Sequence, residues 1–220
     1  MSFGIYDATI PVYKQGLVTL LHLLDKAEVH ASSNGIDVNE LINGKLAPDM
    51  FDFKAQVQLA CDFAKSGAMR LTGQEVPSHP DTETTVTELH VRIHSVLAIV
   101  NSVTIEQFAG AEERDIKIVF PSKTFEFKGS RFVTYWSLPN FFFHVTTAYN
   151  ILRHQGVADL PGALPGADHR GEQGQTEDTR HETDAQLMLQ SQFAGTALFD
   201  CAHLRAPGKS HECEPAWQTS

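Results

Sequence analysis

From Ile10 onward, apolar residues return every third or fourth position: Ile10, Tyr13, Leu17, Leu20, Leu21, Leu24, Ala27 and Ala31. That spacing lays them along one side of a helix and predicts an amphipathic α-helix, stopped by "SSNG" at 32–35. Asp37 followed by Glu40 makes a capping-box pair for a short helix, "VNELI", before the loop "NGKLAP". A second long helix is predicted from Pro48 or Asp49, with Met50, Phe53, Val57, Ala60, Ala64 and Leu71 on one side and Gly73 at its stop. Past "QEVPSHPD", Thr85 and Glu88 supply another capping box, and Val86, Leu89, Ile93, Val96, Leu97 and Val100 form a third stripe.

The period then changes from helical to two. Ile116, Ile118 and Phe120 alternate with their neighbours, as do Phe125 and Phe127, so two short strands joined at Pro121-Ser122 are predicted. An isolated hairpin is marginal in water and needs to lie on the helices. "SRFVTYWS" reads as one or two helical turns before Pro139, and the last helix runs from about Pro139 to His154, ended by Gly156. On it Phe141, Val145, Ala148 and Leu152 share the core stripe, whereas Phe142 faces elsewhere and needs a different partner, such as the hairpin.

Composition changes this picture mainly at the C-terminus. Residues 1–157 hold 13 basic against 17 acidic side chains, and residues 158–220 hold 4 against 10, within a chain of net charge −10. The second segment is rich in Gly, Pro, Asp, Glu and Gln and lacks periodic apolar positions, so burial would not offset the entropy of ordering it. It reads as a disordered acidic tail, 158–220, after a helical domain, 1–157, with a weak apolar patch at 187–204. No basic stripe exists to displace counterions from phosphates, which argues against a nucleic-acid partner. No apolar run is long enough for a membrane span, and three cysteines, Cys61, Cys201 and Cys213, are too few for a disulfide framework. A reducing, cytoplasmic setting is the expectation.

The candidate chemistry centres on the last helix. Asn140 and His144 are four residues apart on the flank of the core stripe, a spacing that aims two polar groups at one point. Three readings follow: a satisfied polar cluster inside the bundle, a ligand pocket without metal, or a metal site. His90 and His94 repeat the i, i+4 spacing but lie off their helix's apolar stripe and read as solvent-exposed, with no Glu after His90 to make a metalloprotease motif. Cys201-x-His203 and His211-x-Cys213 match no common zinc-finger spacing. No Gly-rich phosphate loop or nucleophile elbow is present, and Cys61 reads as an inert core thiol.

Two stretches, "LAPDMFDFKAQVQLACDFAK" and "LPNFFFHVTTAYNILRHQG", in the order helix, helix, helix, hairpin, helix, resemble a domain-of-unknown-function branch of the DinB-like (DinB/YfiT) superfamily over residues 1–157. The resemblance implies an all-α, up-and-down four-helix bundle with one short β-hairpin before the last helix, often dimeric. Many such bundles hold a divalent metal through three histidines, one on the second helix and an H-x-x-x-H pair on the last, and some are thiol-dependent transferases or isomerases. His144, Arg153 and Gly156 reproduce the intervals of the last-helix pattern, but Asn140 stands where the first histidine of the pair belongs. The second helix has no histidine; Gln56 and Gln58 occupy the region, with Asp49 a turn or two earlier.

The resemblance therefore points to a small-molecule-binding bundle with a degenerate metal site. Gln56, Gln58, Asp49 and Tyr149 are its candidate ligand contacts, His144 and Asn140 its candidate catalytic pair, and His144, Asn140 and Gln56 an incomplete ligand set for Zn, Ni or Fe. No cofactor is certain on this footing. A metal-dependent enzyme and a structural dimer with a buried polar cluster are the alternatives. A homodimer is expected because Phe142, Trp136 and Tyr149 do not fit one core together.

Overall fold

The computed structural model describes residues 3–158 and 160. The acidic tail, its patch at 187–204 and its Cys/His pairs lie outside them. Four long helices carry the fold: α1 (Ile5–Asn34), α3 (Phe53–Leu71), α4 (Val86–Ser102) and α6 (Leu138–His154). A one-turn helix, α2 (Val38–Ile42), follows α1, and a hairpin of β1 (Asp115–Val119) and β2 (Thr124–Lys128) precedes a short helix, α5 (Gly129–Phe132). The all-α bundle with one hairpin is thus the observed fold.

The stripes in the sequence become the core. Ile10, Tyr13, Leu17, Leu20, Leu24 and Ala27 of α1, Val57, Ala60 and Ala64 of α3, and Leu89, Ile93, Val96 and Val100 of α4 are all fully buried. Two starts differ from expectation. The first helix begins at Ile5, where Asp7 accepts from the Gly4 amide at 3.0 Å, and it carries Pro11 inside. The second long helix begins at Phe53 and not at Pro48 or Asp49, because Asp52 caps it by accepting from the Ala55 amide at 2.9 Å. Residues 47–50 form a turn instead, closed by Met50 N–H to Ala47 C=O at 3.1 Å. The capping box of α4 is present as read, with Glu88 N–H on Thr85 Oγ1 at 3.2 Å and Thr85 N–H on Glu88 Oε2 at 3.0 Å.

Contacts between helices give their directions. Tyr6 packs on Phe108 and His90 lies by Asp25, so α4 runs against α1; Tyr13 meets Ser137, so α6 runs with α1. Gln56 and Phe63 meet His144 while Gly67 lies at Ser137, so α3 runs against α6 and α1. Within the bundle, α3 and α4 therefore point the same way. The plain alternation of an up-and-down bundle is interrupted there, and residues 72–85 carry the chain back along it.

The hairpin pairs Ile116 with Phe127 and Ile118 with Phe125, and turns at Phe120–Lys123. It covers Trp136, whose ring centroid lies 5.2 Å from Phe125, 5.8 Å from Phe127 and 6.1 Å from Phe120. Phe142, off the core stripe, is half-buried against the ring of Phe141 at 5.6 Å, and the hairpin's rings close on Trp136. "SRFVTYWS" forms the helical turns expected of it, without a break before the last helix. It is part of one helical path from Gly129 to His154 with a π turn at Val133–Ser137, closed by Leu138 N–H on Val133 C=O. Pro139 explains the widening, since its ring would clash with the carbonyl four residues back in a regular α-helix.

Among the described residues no helix is long and apolar enough to cross a membrane.

Candidate functional site

The face that α3 turns toward α6 is built from small and apolar residues, and into it the sequence sets Gln56 and His144. Both are buried, at 2 % and 4 % exposure. Their side chains meet, with Nδ1 of His144 2.7 Å from Oε1 of Gln56. A carboxamide oxygen accepts, so Nδ1 carries the proton and donates, and Nε2 keeps the lone pair. Phe63 stacks on the imidazole at 5.5 Å with planes 21° apart, and Phe143 stands edge-on at 5.2 Å. Burial in these surroundings pushes the pKa of His144 down to about 3, so the ring is neutral at physiological pH.

Asn140 is also buried on this side of α6, but its amide nitrogen donates to the Trp136 carbonyl at 2.7 Å. That carbonyl lies in the π turn, where the regular i to i−4 ladder is disturbed, and the asparagine satisfies it. Asn140 and His144 thus share a face and spend their groups on different partners. Gln58 points to the opposite side of α3, where its Nε2 donates to Glu83 Oε2 at 2.9 Å. Asp49 is exposed in the turn before α3, and Tyr149 is half-buried on another face of α6. Of the residues singled out in the sequence, Gln56 and His144 are brought into direct contact.

A second polar assembly was not visible in the sequence. Arg92 of α4 is only 1 % exposed in its side chain, and its guanidinium reaches Asp62 at 2.9 Å, Asp81 at 3.0 Å and Glu83 at 3.0 Å. It also donates to the Pro80 carbonyl at 3.2 Å, and Lys65 joins Asp62 at 2.9 Å. The one hint was position, since Arg92 lies three residues after Leu89 and four before Val96, on the edge of a buried stripe. Cys61 lies close by; burial first, against Arg92, raises its thiol to about 12, which leaves it protonated and unreactive.

His94 is exposed as expected, whereas His90 is half-buried, with Nε2 3.5 Å from Asp25 Oδ1. With Glu28 these make the grouping of metal-type donors among the described residues, their ligand atoms within 4.8 Å of one another. Both carboxylates are exposed, and nothing besides proximity marks the trio as a site.

The family model described as "Domain of unknown function (DUF1993)" matches residues 5–158. The chain belongs to the DUF1993 family. The crystal structure of a DinB family member from Shewanella denitrificans is 38% identical, covering 79% of this chain and 96% of that one, with a TM-score of 0.66. No curated protein matches the chain. A DinB-like bundle of the DUF1993 family is therefore the frame in which His144, Asn140 and Gln56 are to be read.

Proposed function

We propose that this DUF1993 bundle binds a small, largely apolar molecule at His144, and does so without a metal. The carrying observation is the 2.7 Å hydrogen bond between His144 Nδ1 and Gln56 Oε1 in a buried, aromatic-walled position. It fixes the tautomer and leaves Nε2 as an acceptor, which suits a ligand offering an N–H or O–H beside an apolar ring.

The donor set does not fit the three-histidine centre that the DinB resemblance implies. It holds one imidazole and two carboxamides; Gln56 Oε1 is engaged by the imidazole N–H, and Asn140 donates to a backbone carbonyl. Neutral amide oxygens are weak ligands for zinc, nickel or iron compared with imidazole.

Phenol and its methyl ether, anisole, test the reading. Phenol is expected to bind the metal-stripped full chain saturably and more tightly than anisole, and His144→Leu is expected to remove the difference. Equal binding of the two, or a phenol preference that survives His144→Leu, would discard the proposal. In the same samples Zn²⁺, Ni²⁺ and Fe²⁺ should give no rise in Tm that depends on His144.

A second reading is that the pair sets the register of α3 on α6, favoured by its burial between two helices that also touch at Phe63 and Gly67. Gln56→Leu leaves the Nδ1–H buried without an acceptor and is expected to cost about 1–3 kcal/mol. Adding His144→Leu removes the orphaned donor and should recover most of that loss, as read by urea denaturation of the two single variants and the double.

A further inference from the structure

Residues 72–85 return the chain along the α3–α4 groove with no regular structure between Gln74 and Thr84. From Glu75 to Glu83 the backbone makes no hydrogen bond to other described backbone. Side chains hold it instead. Asp81 and Glu83 close on Arg92, the Pro80 carbonyl accepts from the same guanidinium, and Glu83 accepts from Gln58. His79 stands within this assembly with its Nδ1 buried and without a hydrogen-bond partner. The charged groups facing its ring are Lys65 and Asp62 of α3, Arg92 of α4 and Glu83 of the strap itself, with Asp81 two residues further along.

We propose that residues 74–84 form a pH-sensitive strap, seated on the α3–α4 groove while His79 is neutral and lifted from it when His79 takes up a proton. In the seated state an added proton finds no good place. Nδ1 is buried without an acceptor, so a proton added there would leave an unpaired N–H in the seated strap. Burial, followed by the fields of Lys65 and Arg92, holds the imidazole below its ordinary value of 6.5, against the weaker opposing pull of Asp62 and Glu83.

A histidine whose pKa is depressed in the seated state favours that state above the ordinary pKa, and the preference is lost as pH falls through 6.5. Glu83 does not share this window: against burial, which pulls the other way, its own backbone amide, Arg92 and Gln58 hold it below its ordinary 4.5, and it stays ionised there. Between pH 7.5 and 5.5 the lifted population should rise by up to about tenfold, the ceiling for one proton binding a lifted strap with a pKa near 6.5.

Limited proteolysis of the full chain by a glutamate-specific protease reads that population, because Glu75 precedes the latch and Glu83 is part of it. Cleavage at these two sites, mapped by mass spectrometry and normalised to a free peptide of residues 72–86, is expected to rise at least threefold from pH 7.5 to 5.5. His79→Gln should hold it flat. An independent reading is the NMR titration of the His79 ring, assigned by comparison with His79→Gln and expected below the value in the free peptide. Cleavage that rises by less than threefold, or equally in both proteins, or an imidazole titrating at or above the peptide value, would overturn the proposal.

Discussion

Arg92→Ala is expected to lower the free energy of unfolding by about 3 kcal/mol, the low end of the range for breaking a buried ion pair. The guanidinium is the common partner of three carboxylates and one carbonyl, and the side chain is only 1 % exposed. Its loss does not leave those partners equally stranded. Asp62 and Asp81 keep more than a third of their side chains in water and can rehydrate, whereas Glu83 is 13 % exposed and retains Gln58. Glu83 therefore carries most of the penalty, and adding Glu83→Gln to Arg92→Ala should restore part of the stability. Urea titrations of the three proteins check this, and a double variant no better than Arg92→Ala would show that the loss comes from packing of the arginine stem.

Gly129→Ala is expected to cost at least the 1–3 kcal/mol typical of overpacking, about 3 kcal/mol here. Gly129 opens α5 directly after β2 and is buried against the 3₁₀ turn Ala111–Glu113. A Cβ at this position would fall inside the van der Waals radius of the Ala111 carbonyl oxygen, a backbone atom. That turn is not free to retreat, because Ser130 Oγ donates to the Glu112 carbonyl at 3.2 Å and Lys128 Nζ to the Glu113 carbonyl at 3.1 Å. The strain should spread to the hairpin and to Trp136 beneath it, so a fall in the urea midpoint should accompany a change in near-ultraviolet circular dichroism. An alanine variant of wild-type stability would mean that the close approach at Gly129 is easily relieved.

The helices were legible because their information is local: each stripe repeats at the helical period, and the Thr85–Glu88 box lies within four residues. The hairpin was legible for the same reason, its period being two and its turn marked by Pro121-Ser122. What the sequence withheld is non-local. Arg92 looks like a surface charge in "HVRIH" until Asp62, thirty residues earlier, and Asp81 and Glu83 of the strap are brought against it. The strap itself reads as an ordinary linker, since nothing in "QEVPSHPD" states that its two flanking helices point the same way. The site was half legible: helical spacing placed His144 and Asn140 on one face, and Gln56 came from the resemblance. That Asn140 would turn to the Trp136 carbonyl depends on the π turn, which no periodicity in "SRFVTYWS" announces.

The shared direction of α3 and α4 has a consequence for the tether between them. Asp62 is level with Arg92, so the end of α3 and the start of α4 lie about fifteen helical residues apart, or about 22 Å along the bundle. The connecting residues, fully extended, would span roughly 50 Å. Half of that length is slack. A slack tether is not drawn into one path by tension, and many courses over the surface would satisfy its ends equally well. The course it takes is selected by where its few charged side chains find partners, so neutralising them would change the route of the chain without altering the helices it connects.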